Sequence, residues 1–221
     1  MCGRFTIAIA VGWQKRFQLQ DQTTPVQPRY NITPSQQVPI IVRENPNRLI
    51  MMQWGLIPSW AKDPKIGSRL INARAETLHE RPAFRTLLRR SRCLVPATGF
   101  YEWKKTETMK IPHYIHQKDN AIFAFAGLYD SWRSPGATDN LLTFTIITTE
   151  PNALIATIHN RMPAIVRQEY EYLWLRPEPL SLDEVKQILN PYPDDQLEAY
   201  RVSFAVNNPK IESEELIKPL I

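Results

Sequence analysis

The sequence predicts an α+β fold, a single domain over residues 1–221 with a curled, mostly antiparallel and barrel-like β-sheet core and peripheral helices. Three observations carry that expectation. Apolar residues fall in short or alternating runs rather than long heptads, and nineteen prolines punctuate them. The strand-like runs do not alternate regularly with helical ones, which disfavours a doubly wound parallel sheet. At 221 residues the chain is long for one domain but within the range of a β-rich one, and it can bury a substantial core.

Residues 4–9 (RFTIAI) alternate in polarity and read as the first strand. Residues 13–19 (WQKRFQL) carry Trp13 and Phe17 at helical spacing. The Pro-rich stretch 24–39 reads as an ordered connecting loop, because Tyr30 and Ile32 punctuate it. Strands are expected at 38–42 (VPIIV) and 49–54 (LIMMQW), then a helix at 83–90 (AFRTLLRR) whose neighbours Arg89, Arg90 and Arg92 read as a solvated helix end. Strands dominate the middle, at 92–96, 100–104, 113–116, 122–128 and 142–148. Helices return at 153–158, 169–175 and 182–189, the last opened by a capping box from Ser181 to Glu184, and a final strand is expected at 202–206 (VSFAV).

Composition narrows the function classes. The only cysteines are Cys2 and Cys93, and no basic-then-apolar leader opens the chain, which points to a reducing, cytoplasmic compartment. No apolar run approaches the roughly 20 residues of a membrane helix. A net charge of +5 suits a polyanionic partner but suits an ordinary basic enzyme as well. Gly-rich phosphate loops, paired CxxC, HExxH and GxSxG motifs are absent from the sequence. Of the four histidines, at 79, 113, 116 and 159, the pair His113 and His116 lies in a strand-like run whose odd spacing sends them to opposite faces. No metal and no cofactor are expected, and a monomer is.

Chemistry is suggested by polar residues inside apolar segments. The chain opens MCGRF, and loss of Met1 would give Cys2 a free α-amine beside its thiol. Asn72 and Arg74 lie in LINARAE, Glu102 in TGFYEWKK, and His159 and Arg161 in IHNRMP. On a strand, Glu102 shares a face with Phe100 and Lys104, while Tyr101 and Trp103 face the other way. Taken singly, each has a bland role: Glu102 exposed or salt-bridged, His159 satisfying helix carbonyls, Asn72 capping a turn, Cys93 inert in the core. Taken together, Cys2, Glu102, Asn72 and His159 are the parts needed to activate an amine-plus-thiol nucleophile and move protons in carbonyl chemistry.

MCGRF, RYNITPSQ, WGLIPSW, INARAET, CLVPATGFYEWKK, FAFAGLYDSW, TTEPNALIATIHNRMPAIV and AVNNPKIESEELIKPL, in that order and over nearly the whole chain, resemble the SOS response-associated peptidase (SRAP) family of abasic-site-shielding proteins. The resemblance implies a curled, barrel-like sheet with peripheral helices. It also implies sensing of abasic sites in single-stranded DNA and a thiazolidine DNA-protein crosslink through Cys2, with lyase-like and Met1-removing character. Asn72, Glu102 and His159 would complete the active site. DNA would be bound by Arg4, Arg74 and Arg161, each within two residues of a proposed catalytic group, and by Trp60, stacking on a base. Thr148 matches a family position near the nucleophile, and Asn31 lies in the RYN segment. Where the family commonly has Asp after the histidine, this chain has Asn160, which removes a charge beside His159 and Arg161.

Two alternatives belong to other classes. N-terminal-nucleophile glutamine amidotransferases also begin Met-Cys-Gly, but here Arg4, Phe5 and Thr6 follow and no Asn-Gly dipeptide occurs for an oxyanion hole. A non-catalytic single-strand-binding module would fit the charge and the tryptophans. It would leave Glu102, Asn72 and His159 in apolar segments unexplained.

Overall fold

In the computed structural model, which describes residues 2–9, 11–19, 26–44, 47–134 and 136–220, the chain runs through strands and short helices. The first half comprises β1 (Phe5–Ile7), α1 (Trp13–Phe17), β2 (Arg29–Ile32), β3 (Gln37–Val42), β4 (Arg48–Trp54), β5 (Asn72–Arg74), α2 (Arg85–Arg90) and β6 (Arg92–Ala97). Then come β7 (Gly99–Lys105), β8 (Lys110–Gln117), β9 (Phe123–Trp132), β10 (Leu141–Thr149), α3 (Ala153–Ala156), β11 (Met162–Pro163), β12 (Ile165–Val166), α4 (Gln168–Leu175), α5 (Leu182–Ile188) and β13 (Leu197–Arg201).

Five strands close a barrel in the order β4, β3, β6, β9, β10, with β10 returning to lie beside β4. All contacts round it are antiparallel except β10 with β4, where Thr143 sits opposite Gln53 and Phe144 opposite Trp54. The short β5 extends the same edge of β10, again parallel, with Asn72 opposite Ile146 and Arg74 opposite Thr148. A second sheet, ordered β13, β8, β7, β1, β2, covers the barrel.

Aromatic rings fasten the two together. Phe5 and Phe100 come from the second sheet, Trp54 and Phe125 from the barrel, and all are fully buried. Phe5 meets Trp54 edge to face at 5.2 Å and Phe125 at 5.8 Å, and Phe100 meets Phe125 at 5.9 Å. Burying about 200 Å² per ring stabilises the joint by about 5 kcal/mol each before ordering entropy is subtracted. A separate cluster of Tyr101, Tyr114, Val202, Val206 and Leu216 lies on the other face of the second sheet, where the C-terminal residues pack.

The alternation-based strands and the helical spacings lie where the sequence places them, apart from end shifts and three larger differences. Residues 202–206 are not a strand: β13 ends at Arg201, and Phe204–Asn207 is a 3-10 turn. Ser203 caps that turn through the Ala205 N–H, and Val202 and Val206, four apart, both turn inward, a spacing that the apolar content alone disguises as a strand. Within the expected loop 24–39, β2 forms at Arg29–Ile32 and β3 begins at Gln37, while residues 24–25 lie outside the described residues. Arg92 is no solvated helix end either. It is 6 % exposed, and its guanidinium donates to the carbonyls of Leu88, Trp174, Arg176 and Glu178, tying α2 and the end of α4 to β6.

Candidate active site

Strand pairing brings Cys2 to Glu102. Phe5 sits opposite Phe100 and Thr6 opposite Gly99, and the Tyr101 N–H donates to Arg4 O at 2.9 Å. Continued outward, that register sets Cys2 and Gly3 alongside Trp103 and Glu102. Cys2 is fully buried, and burial first, then the Glu102 carboxylate, push its thiol far above the ordinary cysteine range. Glu102 itself is 2 % exposed, and burial raises its carboxyl against the opposing charge of His159. Glu102 thus acts electrostatically on Cys2 and is acted on by His159.

His159 is aimed by the turn that holds it. Asn152 caps α3 by accepting the Ile155 N–H at 2.9 Å, and the His159 N–H closes on Ile155 O at 2.8 Å. The Arg161 N–H donates to His159 Nδ1 at 3.0 Å, which leaves Nε2 to carry the proton of the neutral ring. His159 and Glu102 line opposite walls of a groove of about 620 Å³, with Trp103, Lys105 and Lys110 on the Glu102 side and Ile158 and Asn160 beside the histidine.

Of the sequence-predicted residues, Glu102 and His159 are the two among the described residues that line this groove, and the others lie elsewhere. Asn72, on β5, donates through Nδ2 to Ile146 O at 3.5 Å, while its Oδ1 is buried with no hydrogen-bond partner among the described residues. A buried orphan acceptor is ready for an incoming amine or hydroxyl. Arg161 is held by Glu76 through both carboxylate oxygens, at 2.6 and 3.0 Å, and by Thr148 O at 2.6 Å. Burial opposes a charge on Glu76, but the Arg161 hydrogen bonds outweigh it and keep that carboxyl below its usual range.

Other predicted DNA contacts turn out to have structural duties. Asn31 is fully buried: its Oδ1 accepts from Arg4 at 2.6 Å, and its Nδ2 donates to Asn208 O and Ile211 O at 3.0 and 2.8 Å. Thr148 is fully buried and supports Arg161. Arg4 is half-buried, bonded to Asn31 and Val206 O, with its guanidinium 5.9 Å from the Trp103 ring centre. Arg74 is exposed, and Trp60 stands 61 % exposed. Sequence reasoning missed Glu76, whose place in INARAET was a usable signal, and Lys105 and Lys110, for which nothing in the sequence marked out a role.

Among the described residues no group of three His, Cys, Asp or Glu side chains is placed to hold a metal, and no helix is long and apolar enough to cross a membrane.

Comparison with known proteins places this geometry among relatives. A family model described as SOS response associated peptidase (SRAP) matches residues 1–209. "Abasic site processing protein YoaM" of Bacillus subtilis is 48 % identical over 223 residues, spanning 98 % of this chain and 97 % of the relative. "Abasic site processing protein HMCES" of Xenopus tropicalis is 29 % identical, over 88 % of this chain and 67 % of that one. A crystal structure of a protein from Bacteroides thetaiotaomicron superposes with a TM-score of 0.89 at 32 % identity, covering all of both chains.

Proposed function

The chain belongs to the SOS response associated peptidase (SRAP) family, and from that premise we propose that it captures abasic sites in single-stranded DNA as a covalent crosslink through Cys2. The observation that carries the proposal is that buried Glu102, which lines one groove with His159, also acts electrostatically on buried Cys2. The names of its relatives, abasic site processing proteins, support the same substrate.

An abasic sugar equilibrates with a ring-opened aldehyde, and a 1,2-aminothiol closes on an aldehyde as a thiazolidine. Removal of Met1, a self-cleavage we assign to the same groups, gives Cys2 the α-amine. As the sugar opens and its C1′–O4′ bond breaks, His159 Nε2–H gives its proton to the ring oxygen and takes up the proton that the C1′ hydroxyl loses in becoming the carbonyl, and the same exchange in reverse lets the crosslink revert. The amine nitrogen then adds to C1′, and Glu102 carries one of its protons to the carbonyl oxygen, which becomes the carbinolamine hydroxyl. Glu102 then takes the second proton from nitrogen and gives it to that hydroxyl, so that the C–O bond breaks, water leaves and the C=N bond forms. The Cys2 sulfur adds to C1′ of the imine, and its proton goes to the nitrogen. One water is released for the C–N and C–S bonds formed. Asn72 Oδ1 accepts a hydrogen bond from the amine and holds its lone pair toward C1′.

Burial suits the two reacting groups differently. It deters the Cys2 thiolate, so the amine reacts first and sulfur adds only after the imine has formed. It raises Glu102 toward the working pH, where a carboxyl both accepts and returns a proton.

The test is denaturing electrophoresis of Met1-processed protein with a single-stranded oligonucleotide carrying one abasic site, beside Cys2→Ala. A shifted band from the wild type alone, stable without borohydride, is expected. No band, with the N-terminal Cys verified by mass spectrometry, would remove the proposal. Equal noncovalent binding of intact and abasic strands would then favour a plain single-strand binder, and ammonia release from glutamine an amide hydrolase.

A further inference from the structure

One wall of the groove has features that crosslinking at Cys2 does not use. Strand β7 pairs with β8 from Gly99 to Lys105, but with β1 only at Gly99 and Phe100, followed by the single Tyr101 N–H bond to Arg4 O. Beyond that bond the outer edge of β7 borders the groove. Backbone N–H groups alternate along a strand, so those of Trp103 and Lys105 point to the same side as that of Tyr101. The Trp103 N–H is taken by the Glu102 carboxylate and Cys2 lies alongside it, so the edge donor beyond them is the Lys105 N–H.

Lys105 and Lys110 form the last cross-strand pair of this hairpin, and both line the groove. Both are exposed, and neither takes part in an ion pair among the described residues. Directly opposed like charges destabilise a hairpin. Here they are kept on a firm turn: the Thr106 N–H donates to Met109 O at 2.9 Å, and Thr106 Oγ1 accepts the Met109 N–H at 3.1 Å. Across the groove stands Asn160, uncharged, so that Glu102 is the one acid among the described lining residues.

We propose that Lys105 and Lys110, with the outward N–H of Lys105, form a phosphate track that holds the DNA backbone next to the captured sugar, and that the neutral Asn160 leaves this track unopposed. The inference rests on the groove being the site for abasic DNA. A bound phosphate relieves the repulsion between the two ammonium groups and offers an oxygen to the Lys105 N–H.

The experiment measures binding apart from chemistry, by fluorescence anisotropy of a single-stranded oligonucleotide with one tetrahydrofuran abasic analogue, which has no aldehyde. Lys105→Gln/Lys110→Gln is set beside the charge-matched Lys15→Gln/Lys118→Gln, whose lysines lie exposed on α1 and beyond the far end of β8. With a slope of about −0.7 per phosphate contact on single strands, the groove variant should lose about 1.4 from its salt slope. Between 50 and 200 mM salt the wild type then loses about sevenfold more affinity than the variant. The control pair should follow the wild type. Asn160→Asp should weaken binding at low salt, with the difference shrinking as salt is raised. An unchanged slope in the groove variant, or an equal change in the control, overturns the track. Wild-type crosslinking of a true abasic oligonucleotide separates the two failures: a covalent band with no slope change sinks the track alone, whereas no band removes the reading beneath it.

Discussion

Glu102, the proposed acid-base group, is held in the fold at the expense of stability. Burial raises its carboxyl above the ordinary value of about 4.3 that the unfolded chain retains. Below that value the group is protonated in both states and costs nothing. As pH rises, the unfolded chain releases its proton first, so the folded state loses stability until the folded pKa is passed. Glu102→Gln is therefore expected to melt higher than the wild type at pH 7 to 8, with the gap closing toward pH 4. The same change should slow crosslinking by about 10² or more, the usual worth of a positioned acid-base group. Thermal melts across pH, paired with gel-based crosslinking rates, check both halves. A melting difference that ignores pH, or an unslowed rate, would count against a working carboxylate. Cys2, Glu102 and His159 were legible in the sequence because each is a polar or reactive residue where an apolar one would serve packing. The orphan Oδ1 of Asn72 was not, because the satisfaction of one atom depends on what a distant strand brings to it.

At the scale of elements, the loop between β4 and β5 that carries Trp60 is held from several sides. The Ser59 N–H donates to Asp130 Oδ2 at 2.7 Å, the Ile57 N–H to Thr143 Oγ1 at 2.9 Å, and Trp132 Nε1–H to Ala61 O at 2.7 Å. Under the loop, Gly55 and Gly67 approach so closely that a Cβ on Gly67 would stand 2.9 Å from Gly55 O, and one on Gly55 2.8 Å from Gly67 O. Gly55 also has φ +121, which only glycine adopts without strain. An exposed indole on so fixed a support can stack on a base with little further ordering entropy. Gly67→Ala should thus destabilise the fold by about 1–3 kcal/mol through overpacking. Trp60→Ala should change stability by no more than about 0.5 kcal/mol but weaken binding of single strands. Urea unfolding and anisotropy on both variants distinguish support from contact; a Gly67→Ala protein as stable as the wild type would refute the close approach. Alternation was enough to find the barrel strands from the sequence. It could not find β2 and β5, four and three residues long, nor the double pairing of β10 that closes the barrel, since neither leaves a periodic trace.

At the scale of the whole molecule, the N-terminal segment is fastened to the last twenty residues. Arg4 follows Cys2, the proposed nucleophile, by two positions and bonds Val206 O, while the Trp103 indole, on the groove wall, donates to Asn207 Oδ1 at 2.8 Å. Asn31 joins these threads, accepting from Arg4 and donating to the carbonyls of Asn208 and Ile211 across 177 and 180 residues of sequence. Such a link cannot be read from the RYN segment, because its partners Asn208 and Ile211 lie at the far end of the chain, beyond any stretch with a strand-like pattern. Buried and satisfied on three bonds, Asn31 is placed to set the position of Arg4 more than to touch DNA. Asn31→Ala would leave a half-buried guanidinium and two carbonyls without their partner, and should lower unfolding free energy by about 2–4 kcal/mol. Asn31→Asp keeps the acceptor for Arg4 and loses the two donations, so it should fall between alanine and the wild type. A residue that only contacted DNA would change affinity and leave the denaturation midpoint where it was. The order of the midpoints, wild type above Asp above Ala, is the signature that the N-terminal segment carrying Cys2 is held in register by the far end of the chain.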